Sequence, residues 1–561
     1  MTLFTSDTTV IANITKELVS CGCCARCTMR YLGLKDMALY KGNYKEMQTM
    51  VEQYMNIKSD DESPSTVNDA NIKDTVGGTD DVKDINNTQS VVVEVKKEND
   101  DACAIQTDDS NEVIDKSNDT NTESSTKCKA CVVCLGILQH FAEDEFLKKV
   151  QSNIENEGFC YTLYMCSLMI PVCVILREHA MMLHLKEKFS SVYGNKTYLD
   201  ISAVKDVWKW RCGPVLCDLL QAPFDVKSPF DITLTFLYQN SNKECSFLLD
   251  NPDNDTFRKR KQDRRYNRKK PNFAVYNRAN VSKAVKDMPE DDFKRSYQCP
   301  PLYPRFDTTC DIKCQNENVF LGGRYNKYSR ILSQSPWIIE GVRKSESSVE
   351  ELICTEINNN FQPDSSKFSS SGREDVDVLM LGNGRPFVVE LMNPRRREFS
   401  QEEINNMQKT LNSSTEDIKC SDLQIVSKDD TNILKEGEID KVKKYRALCW
   451  CKEPVTDEQL HKLSSLKELT ILQKTPIRVL HRRPLATRDR IIHNICTERI
   501  DNHHFRIDMS TQAGTYVKEF VHGDFGRTKP NLNILLGQDC DILELDVTAV
   551  ELDWPKKIDS T

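Results

Sequence analysis

Hydrophobic and polar positions alternate differently in the two halves of the chain. Across residues 146–249, apolar residues at helical spacing are interspersed with β-rich runs such as 230–237. Farther along, residues 504–509 and 542–547 alternate, and Tyr445, Ala447 and Cys449 alternate with Arg446, Leu448 and Trp450. Because a period of two is typical of half-buried strands, the pattern predicts an N-terminal α/β domain. It also predicts a C-terminal α+β domain with a mainly antiparallel mixed sheet.

Two further segments give clear signals for a helix. Thr456 and Gln459 form a capping-box sequence ahead of regularly spaced leucines, which predicts a helix beginning near residue 457. The apolar run 161–176 is interrupted by Pro171 and is shorter than the roughly 20 residues that a membrane helix needs. It predicts a buried strand followed by a helix.

A carboxylate stands at the head of a predicted β-hairpin. Residues 372–378 and 386–391 have strand character, and the Asn-Gly pair at 383–384 between them is typical of a tight turn. This arrangement places Asp375 at the mouth of the hairpin. On a regular strand Asp377 would point to the same side, so Asp377 is the nearest alternative to Asp375.

Charge is distributed very unevenly along the 561 residues, whose net charge is -9. Residues 58–126 hold 18 Asp and Glu against 6 Lys and Arg and have no aromatic residue, which predicts a disordered acidic insert. Residues 258–270 include nine Lys and Arg and suggest a linker, a nuclear-localisation signal or a phosphate-binding strip. The predicted organisation is an N-terminal cysteine-rich, zinc-binding segment at 1–57, the acidic insert at 58–126, an α/β domain at 127–257, a basic linker at 258–290 and the α+β domain at 291–561.

Cysteine is abundant, and the sequence begins without a recognisable secretory signal. The 23 cysteines are therefore expected to be reduced, with a few bound to metal. Two Cys-x-x-Cys pairs can hold one tetrahedral ion, and we predict a structural zinc site made by Cys24, Cys27, Cys131 and Cys134. The spacing also allows Cys21/Cys24 with Cys128/Cys131, and ordinary thiols without metal remain an alternative.

Basic residues cluster in the C-terminal half. Residues 473–484 interleave basic side chains and a histidine with strand-forming residues, and 394–397 and 526–530 add more. Such clustering is what phosphate binding requires, although a merely solvated basic face would look the same. The candidates for RNA contacts in these stretches are Arg478, His481, Arg482, Arg483 and Arg527.

Three short motifs now become recognisable together. Residues 372–375 (Gly-Arg-Glu-Asp) resemble the Gly-Arg-x-Asp motif of pseudouridine synthases, and 444–450 and 513–520 resemble their second and third motifs. Longer stretches at 326–337, 372–394, 473–483 and 511–530 are similar to the archaeal and eukaryotic tRNA pseudouridine synthase "ten" family. The similarity covers about residues 300–555 and, more thinly, the N-terminal half through its Cys-x-x-Cys pairs and residues 134–139.

The resemblance implies an isomerase that converts uridine to pseudouridine in the T-arm of tRNA. It implies that residues 127–257 form a THUMP-like RNA-binding domain and that residues 291–561 form the pseudouridine synthase catalytic domain. It implies Asp375 as nucleophile, Lys518 as its ion-pair partner, and Tyr445 as candidate base and stacking partner of the uracil. Tyr516 and Arg373 would contact substrate as well. The reaction is redox-neutral, so no catalytic cofactor is expected, and a carboxylate is the group that acts on a glycosidic bond in related chemistry.

Several alternatives stay open at this point. Asp375 could be a turn-capping residue, and the tyrosines could be packing residues. The protein could instead be a non-catalytic RNA-binding scaffold, for example one that binds primary microRNA and its processing complex. Leu379 stands where the family commonly has arginine, and Arg385 could supply the missing contact. We expect a monomer that has no membrane partner. We expect it in the nucleus and the cytoplasm, and mitochondria are not excluded.

Overall fold

The computed structural model describes residues 4–56, 129–249, 276–436, 442–481 and 483–558. The predicted acidic insert and the basic run 258–270 lie outside these residues. The chain divides into two compact units, the first comprising residues 1–151, 167–221 and 234–313 and the second 152–166, 222–233 and 314–561. No helix within the described residues is long and apolar enough to cross a membrane.

The first unit is mainly helical. Its helices are α1 (Thr8–Ser20), α2 (Ala25–Tyr31), α3 (Tyr44–Met55), α5 (Cys173–Lys188), α6 (Ser190–Tyr193), α7 (Val204–Leu220), α8 (Ser241–Glu244), α9 (Arg278–Asp287) and α10 (Glu290–Ser296). Helix α4 (Asp144–Glu157) and strands β1 (Met165–Met169), β2 (Phe230–Leu237) and β3 (Thr309–Asn316) contain residues of both units. These strands form a small sheet in the order β1-β2-β3.

The sequence explains where these helices begin. The Asp7 carboxylate accepts hydrogen bonds from the first free amides of α1, and Asn43 and Glu46 form a capping box at α3. Helix α2 is buried along its whole length, and within it the Arg30 guanidinium pairs with the Glu178 carboxylate on α5. A buried charge of this kind is tolerable only because it is paired and hydrogen-bonded.

The second unit is built on a large sheet. The strands of this unit are β4 (Val319–Lys327), β5 (Ile338–Ile339), β6 (Val342–Arg343), β7 (Ser365–Ser370), β8 (Leu379–Met392), β9 (Ile418–Val426), β10 (Val442–Cys451), β11 (Lys467–Lys474), β12 (Thr487–Arg499), β13 (His504–Gln512), β14 (Thr528–Lys529) and β15 (Cys540–Val550). Strands β5 and β6 pair with each other in a separate two-stranded sheet. The helices of this unit are α11 (Val349–Phe361), α12 (Gln401–Ser414), α13 (Asp430–Glu436), α14 (Asp457–Ser464), α15 (Val517–His522) and α16 (Leu532–Leu536).

Within the described residues, ten strands form this sheet in the order β14-β11-β12-β13-β10-β15-β8-β4-β9, with β7 also paired to β8. The pairings are antiparallel except that of β15 with β8. The predicted mixed, mainly antiparallel α+β fold is confirmed. The predicted helix is α14, where Thr456 and Gln459 form the expected capping box. Strand β1 followed by α5 likewise confirms the prediction for residues 161–176.

The predicted hairpin around Asp375 is wrong. Residues 371–378 form a loop, and the antiparallel partner of β8 on the Asp375 side is β7. The Asn383-Gly384 pair lies inside β8, at an irregularity in the pairing of β8 with β4, and does not reverse the chain. A Cβ at Gly382 would lie 1.9 Å from the Thr548 carbonyl oxygen of β15, so glycine here serves close strand packing.

Candidate active site

Asp375 lies in the loop that connects β7 to β8. Gly372 opens this loop with a φ of +88°, which favours glycine. The ammonium of the buried Lys327 donates hydrogen bonds to two backbone atoms of the loop, the Val376 carbonyl oxygen at 2.7 Å and the Asp375 carbonyl oxygen at 3.3 Å. Burial lowers the pKa of Lys327 to about 8. These contacts hold the loop backbone and leave the Asp375 carboxylate half-buried.

Two cations lie beside the Asp375 carboxylate. The Arg478 guanidinium donates to Oδ2 at 2.9 Å, and the Lys518 ammonium lies 3.6 Å from the same oxygen. Lys518 is closer to Asp377, at 2.6 Å. From the sequence, Lys518 was expected to pair with Asp375, and Asp377 was only the nearest alternative to Asp375. In the structure, the hydrogen-bonded partner of Asp375 is Arg478. Lys518 lies between the two carboxylates.

Arg478 is itself held by Glu519. The Arg478 Nε donates to Glu519 Oε1 at 2.7 Å, and the Glu519 side chain is 2% exposed. Sequence reasoning missed this role, because it depends on a contact between residues that are 41 positions apart. Glu519 lies in α15, where its side chain points inward.

Tyr445 lies on β10 and contributes to the wall beside Asp375. Desolvation by burial raises the pKa of Tyr445, and the nearby charge of Arg385 acts in the opposite direction. The phenol is therefore protonated at neutral pH. It can donate a hydrogen bond or stack on a ring, and it can accept a proton only if its own proton moves to another group.

Tyr516 lies just before α15 and not on a strand. The side chain of the buried Gln473 fixes its backbone through two hydrogen bonds of 2.9 Å, one accepted from the Tyr516 amide and one donated to the Tyr516 carbonyl oxygen. The sequence analysis placed Gln473 only at the edge of a basic stretch. Its role depends on a contact across 43 residues, which no local pattern reveals.

These side chains surround a cleft of about 1020 Å³ in the second unit. This volume is large enough for a nucleotide. The cleft brings together most of the predicted catalytic residues and part of the predicted basic surface, and its lining includes Asp375, Tyr445, Tyr516, Lys518, Arg373, Arg478, Arg483 and Arg490. Arg490 lies on β12 and was counted in the basic cluster but not selected as a site residue.

Of the three remaining predicted RNA contacts, two do not line the cleft and one is not described by the structure. His481 is exposed outside its lining, and Arg482 lies outside the described residues. Arg527 donates to the Thr475 carbonyl oxygen at 2.6 Å and pairs with Asp524 at 3.5 Å. Arg527 therefore fastens the segment before Arg478 and does not face the cleft.

Leu379 stands where the family commonly has arginine, and Arg385 is anchored nearby in a buried network. Its guanidinium is 1% exposed and donates to Glu374 at 2.8 Å and to the Ser371 carbonyl oxygen at 2.8 Å. Glu374 also accepts a hydrogen bond from the Tyr325 hydroxyl. This network supports the loop from inside. Arg385 also belongs to the lining of the cleft, so a contact between Arg385 and substrate stays a prediction.

The first unit holds a separate cluster of four buried cysteines. The sulfur atoms of Cys24, Cys27, Cys131 and Cys134 lie within 4.8 Å of one another, in the arrangement chosen from the sequence. Amides donate to two of the sulfurs, Cys24 N to Cys131 Sγ at 3.2 Å and Leu138 N to Cys134 Sγ at 3.5 Å. Such donors stabilise thiolates, and four converging thiolates are a donor set that suits a tetrahedral metal.

Cys21 does not belong to this cluster. Its thiol donates to Glu17 Oε1 at 3.4 Å and lies 3.6 Å from His184 Nε2. Cys128, the other residue of the alternative register, lies outside the described residues. The structure thus separates Cys21 from the metal-binding arrangement.

Comparison with known families covers both halves of the chain. The family described as "Pus10, C-terminal" matches residues 320–551, and that described as "Eukaryotic Pus10, N-terminal" matches residues 131–314. The chain belongs to the Pus10 family. It is 39% identical to the tRNA pseudouridine synthase Pus10 of Mus musculus over 550 residues, which cover 98% of each chain.

More distant matches cover less of the chain. The tRNA pseudouridine synthase Pus10 of Thermofilum pendens is 38% identical over 236 residues, which are 42% of this chain and 52% of the archaeal one. A chain of a Cbf5-Nop10-Gar1 complex matches 41% of this chain and 48% of its own length, with 17% identity and a TM-score of 0.24, too slight a likeness for any argument. Full-length similarity to Pus10 proteins confirms the predicted family and the predicted activity, that of a tRNA pseudouridine synthase and therefore an isomerase.

Proposed function

We propose that the cleft isomerises a uridine of the tRNA T-arm, with Asp375 as the carboxylate that acts on the glycosidic bond. The observation that supports this role most directly is the hydrogen bond of 2.9 Å from Arg478 to Asp375 Oδ2. This contact fixes the position of the Asp375 carboxylate, and a positioned carboxylate oxygen can act as a nucleophile. The loop of a T-arm is suitable because its bases can leave the stack.

The reaction breaks the bond between C1′ and N1 and forms a bond between C1′ and C5 of the same uracil. Asp375 either attacks C1′ or stabilises its positive charge while the base turns. The proton at C5 must then leave, and N1 must gain one. Tyr445 and Tyr516 line the space where the detached uracil turns, and we propose that the Tyr445 ring stacks on it while its hydroxyl takes part in proton transfer.

Charge around the cleft supports RNA as the substrate. Arg373 and Arg483 line the cleft as exposed side chains, and Arg490 adds a third cation to the same lining. We propose that these arginines contact phosphates beside the flipped nucleotide. Arg478 belongs to the catalytic group instead, because its donors are engaged by Asp375 and Glu519.

We further propose that the metal of the first unit is zinc, bound by Cys24, Cys27, Cys131 and Cys134. A site with four cysteine ligands has no open position, so the ion would supply structural stability and no catalytic step. It would tie residues 24–27 to 131–134 across a long stretch of sequence. An RNA-binding role for the THUMP-like region stays a prediction.

The experiment that tests the proposed activity is pseudouridine mapping of tRNA treated with purified protein. Wild type should modify the T-arm, and Asp375→Ala should not, while both bind tRNA alike. Asp508→Asn is a matched control, because Asp508 pairs with Arg446 outside the lining of the cleft. Full activity of the Asp375→Ala protein would disprove the assignment.

The same experiment distinguishes the scaffold alternative. If wild type modifies no T-arm yet binds structured RNA such as primary microRNA, the protein acts as a scaffold. We propose a monomeric enzyme in nucleus and cytoplasm, supported by the basic run 258–270 as an import signal. Fractionation of cells expressing the wild type and a variant with neutral residues in this run would test the location, and an unchanged nuclear fraction in the variant would contradict the import signal.

A further inference from the structure

Two thiols face each other at one end of the catalytic sheet. Cys451 is the last residue of β10, and Cys540 is the first residue of β15. The two residues are directly opposite in the antiparallel pairing of these strands, and their sulfur atoms lie 3.2 Å apart. Neither belongs to the cysteine cluster of the first unit, and neither lines the cleft.

The backbone at this pair already suits a covalent bond. Directly opposite residues in antiparallel strands have Cα atoms about 4.5–5.5 Å apart, inside the range of about 4.4–6.8 Å that disulfides require. Closing the remaining gap needs the sulfurs to approach by roughly 1 Å, which small side-chain rotations can supply. The strands themselves need not move.

We propose that Cys451 and Cys540 form a reversible cross-strand disulfide under oxidising conditions. The two thiols together lose two protons and two electrons, and a small-molecule disulfide such as oxidised glutathione gains them and becomes two thiols. One cysteine thiolate first attacks the small disulfide and releases one thiol. The second cysteine then attacks the mixed disulfide, releases the other thiol and closes the bond.

Contacts at the pair favour Cys451 as the thiolate. The hydrogen bond between the two thiols lowers the pKa of Cys451 and raises the pKa of Cys540. Access is limited, because the exposed fractions of Cys451 and Cys540 are 0% and 5%. Both residues lie at strand ends, however, and strand ends open locally at a lower free energy than strand centres.

The proposed bond would fasten two strands that form the cleft. Strand β10 carries Tyr445, and β15 carries Leu545 and Val547, which also line the cleft. The two cysteines are 89 residues apart in sequence, so the disulfide would close a long loop and restrict the unfolded chain. Oxidation should therefore stabilise the second unit without touching a catalytic group.

The test uses the full-length wild-type protein equilibrated with oxidised and reduced glutathione at fixed ratios. Free thiols are then alkylated, and the disulfide-linked peptides are identified by mass spectrometry. We expect a peptide pair joining Cys451 to Cys540 and a thermal unfolding midpoint that rises by at least about 3 °C. Both changes should disappear on reduction.

Variants assign the effect to this pair. Cys451→Ser and Cys540→Ser should each abolish the linked peptides and the rise in midpoint. Cys449→Ser should retain both, because Cys449 is buried on the same strand but lies opposite Ile542. The proposal is overturned if Cys451 and Cys540 remain alkylatable while the exposed Cys160 and Cys496 are oxidised, or if the linkage involves Cys449.

Discussion

The carboxylate of Glu519 accepts a hydrogen bond from Arg478 Nε at 2.7 Å, in a position where the glutamate side chain is 2% exposed. The Nη1 atom of the same guanidinium donates to Asp375 Oδ2. Replacing Glu519 with Gln keeps the shape but removes the charge that orients Arg478. A charge-assisted hydrogen bond is worth about 1.5–3 kcal/mol, so we expect kcat to fall by about 10- to 100-fold. Single-turnover pseudouridine formation measures this loss.

Arg478→Lys is the companion test, because it keeps the positive charge but offers one nitrogen atom where the guanidinium uses two. The guanidinium binds Asp375 and Glu519 through different nitrogen atoms, which a single ammonium cannot reproduce. We expect a loss of about the same size as in Glu519→Gln, again about 10-fold or more, with tRNA affinity unchanged. Glu519→Asp keeps the negative charge, so it should recover part of the activity that Glu519→Gln loses. Wild-type kcat in Arg478→Lys would show that charge alone suffices.

The ion pair between Lys518 and Asp377 predicts a small dependence of stability on pH. Although partial burial would raise the pKa of Asp377, the hydrogen bond from Lys518 lowers it below its ordinary value. A lowered carboxyl pKa means that the pair stabilises the fold above about pH 4 and that this stabilisation is lost as the pH falls through the folded-state value. Asp377 is 63% exposed, so solvent screening keeps the contribution small.

Urea unfolding of wild type and Asp377→Asn between pH 3 and pH 6 measures this contribution. We expect the two stabilities to converge at the acid end, with wild type slightly more stable at pH 6. Activity of Asp377→Asn should remain within about threefold of wild type, since Arg478 still binds Asp375. A stability difference that grows on acidification would contradict the assignment.

The sequence alone predicted the strands and the capped helix because their signals are local. Tyr445 alternates with polar neighbours on β10, and Thr456 and Gln459 cap α14 as their spacing indicated. It placed Asp375, Tyr445, Tyr516 and Lys518 at one site only through resemblance to a family. The same cleft confirms their proximity and adds Arg478 as the partner of Asp375.

Long-range contacts were the part that local patterns could not predict. Glu519 reaches Arg478 across 41 residues, and Gln473 reaches Tyr516 across 43. The predicted hairpin was wrong because an Asn-Gly pair indicates backbone freedom and does not by itself specify a chain reversal. Here the pair lies inside β8, where a Cβ at Gly384 would lie 2.8 Å from the Tyr325 carbonyl oxygen of β4.

The separation of Cys21 from the four-cysteine cluster makes the metal proposal testable. We expect one zinc ion per chain in wild type and in Cys21→Ser, and a loss of zinc with reduced thermal stability in Cys24→Ser. Elemental analysis of the purified proteins and thermal unfolding before and after chelation measure both effects. Loss of zinc in Cys21→Ser with retention in Cys27→Ser would mean that the alternative register is correct, since Cys24 is a ligand in both.

Tyr445 can act through its ring, its hydroxyl or both, and two substitutions separate these contributions. Tyr445→Phe retains the ring but removes the only group that could exchange a proton. General acid–base participation typically contributes about 10²- to 10⁴-fold, so we expect kcat to fall by at least about 100-fold while tRNA affinity stays unchanged. Tyr445→Ala also removes the stacking surface, worth about 1–3 kcal/mol per base, and should weaken binding of the flipped nucleotide. Single-turnover rates and fluorescence anisotropy with a T-arm RNA measure the two effects separately. If Tyr445→Phe matches wild type and only Tyr445→Ala is impaired, stacking is the whole contribution of this residue, and the proton at C5 must leave through another group in the cleft.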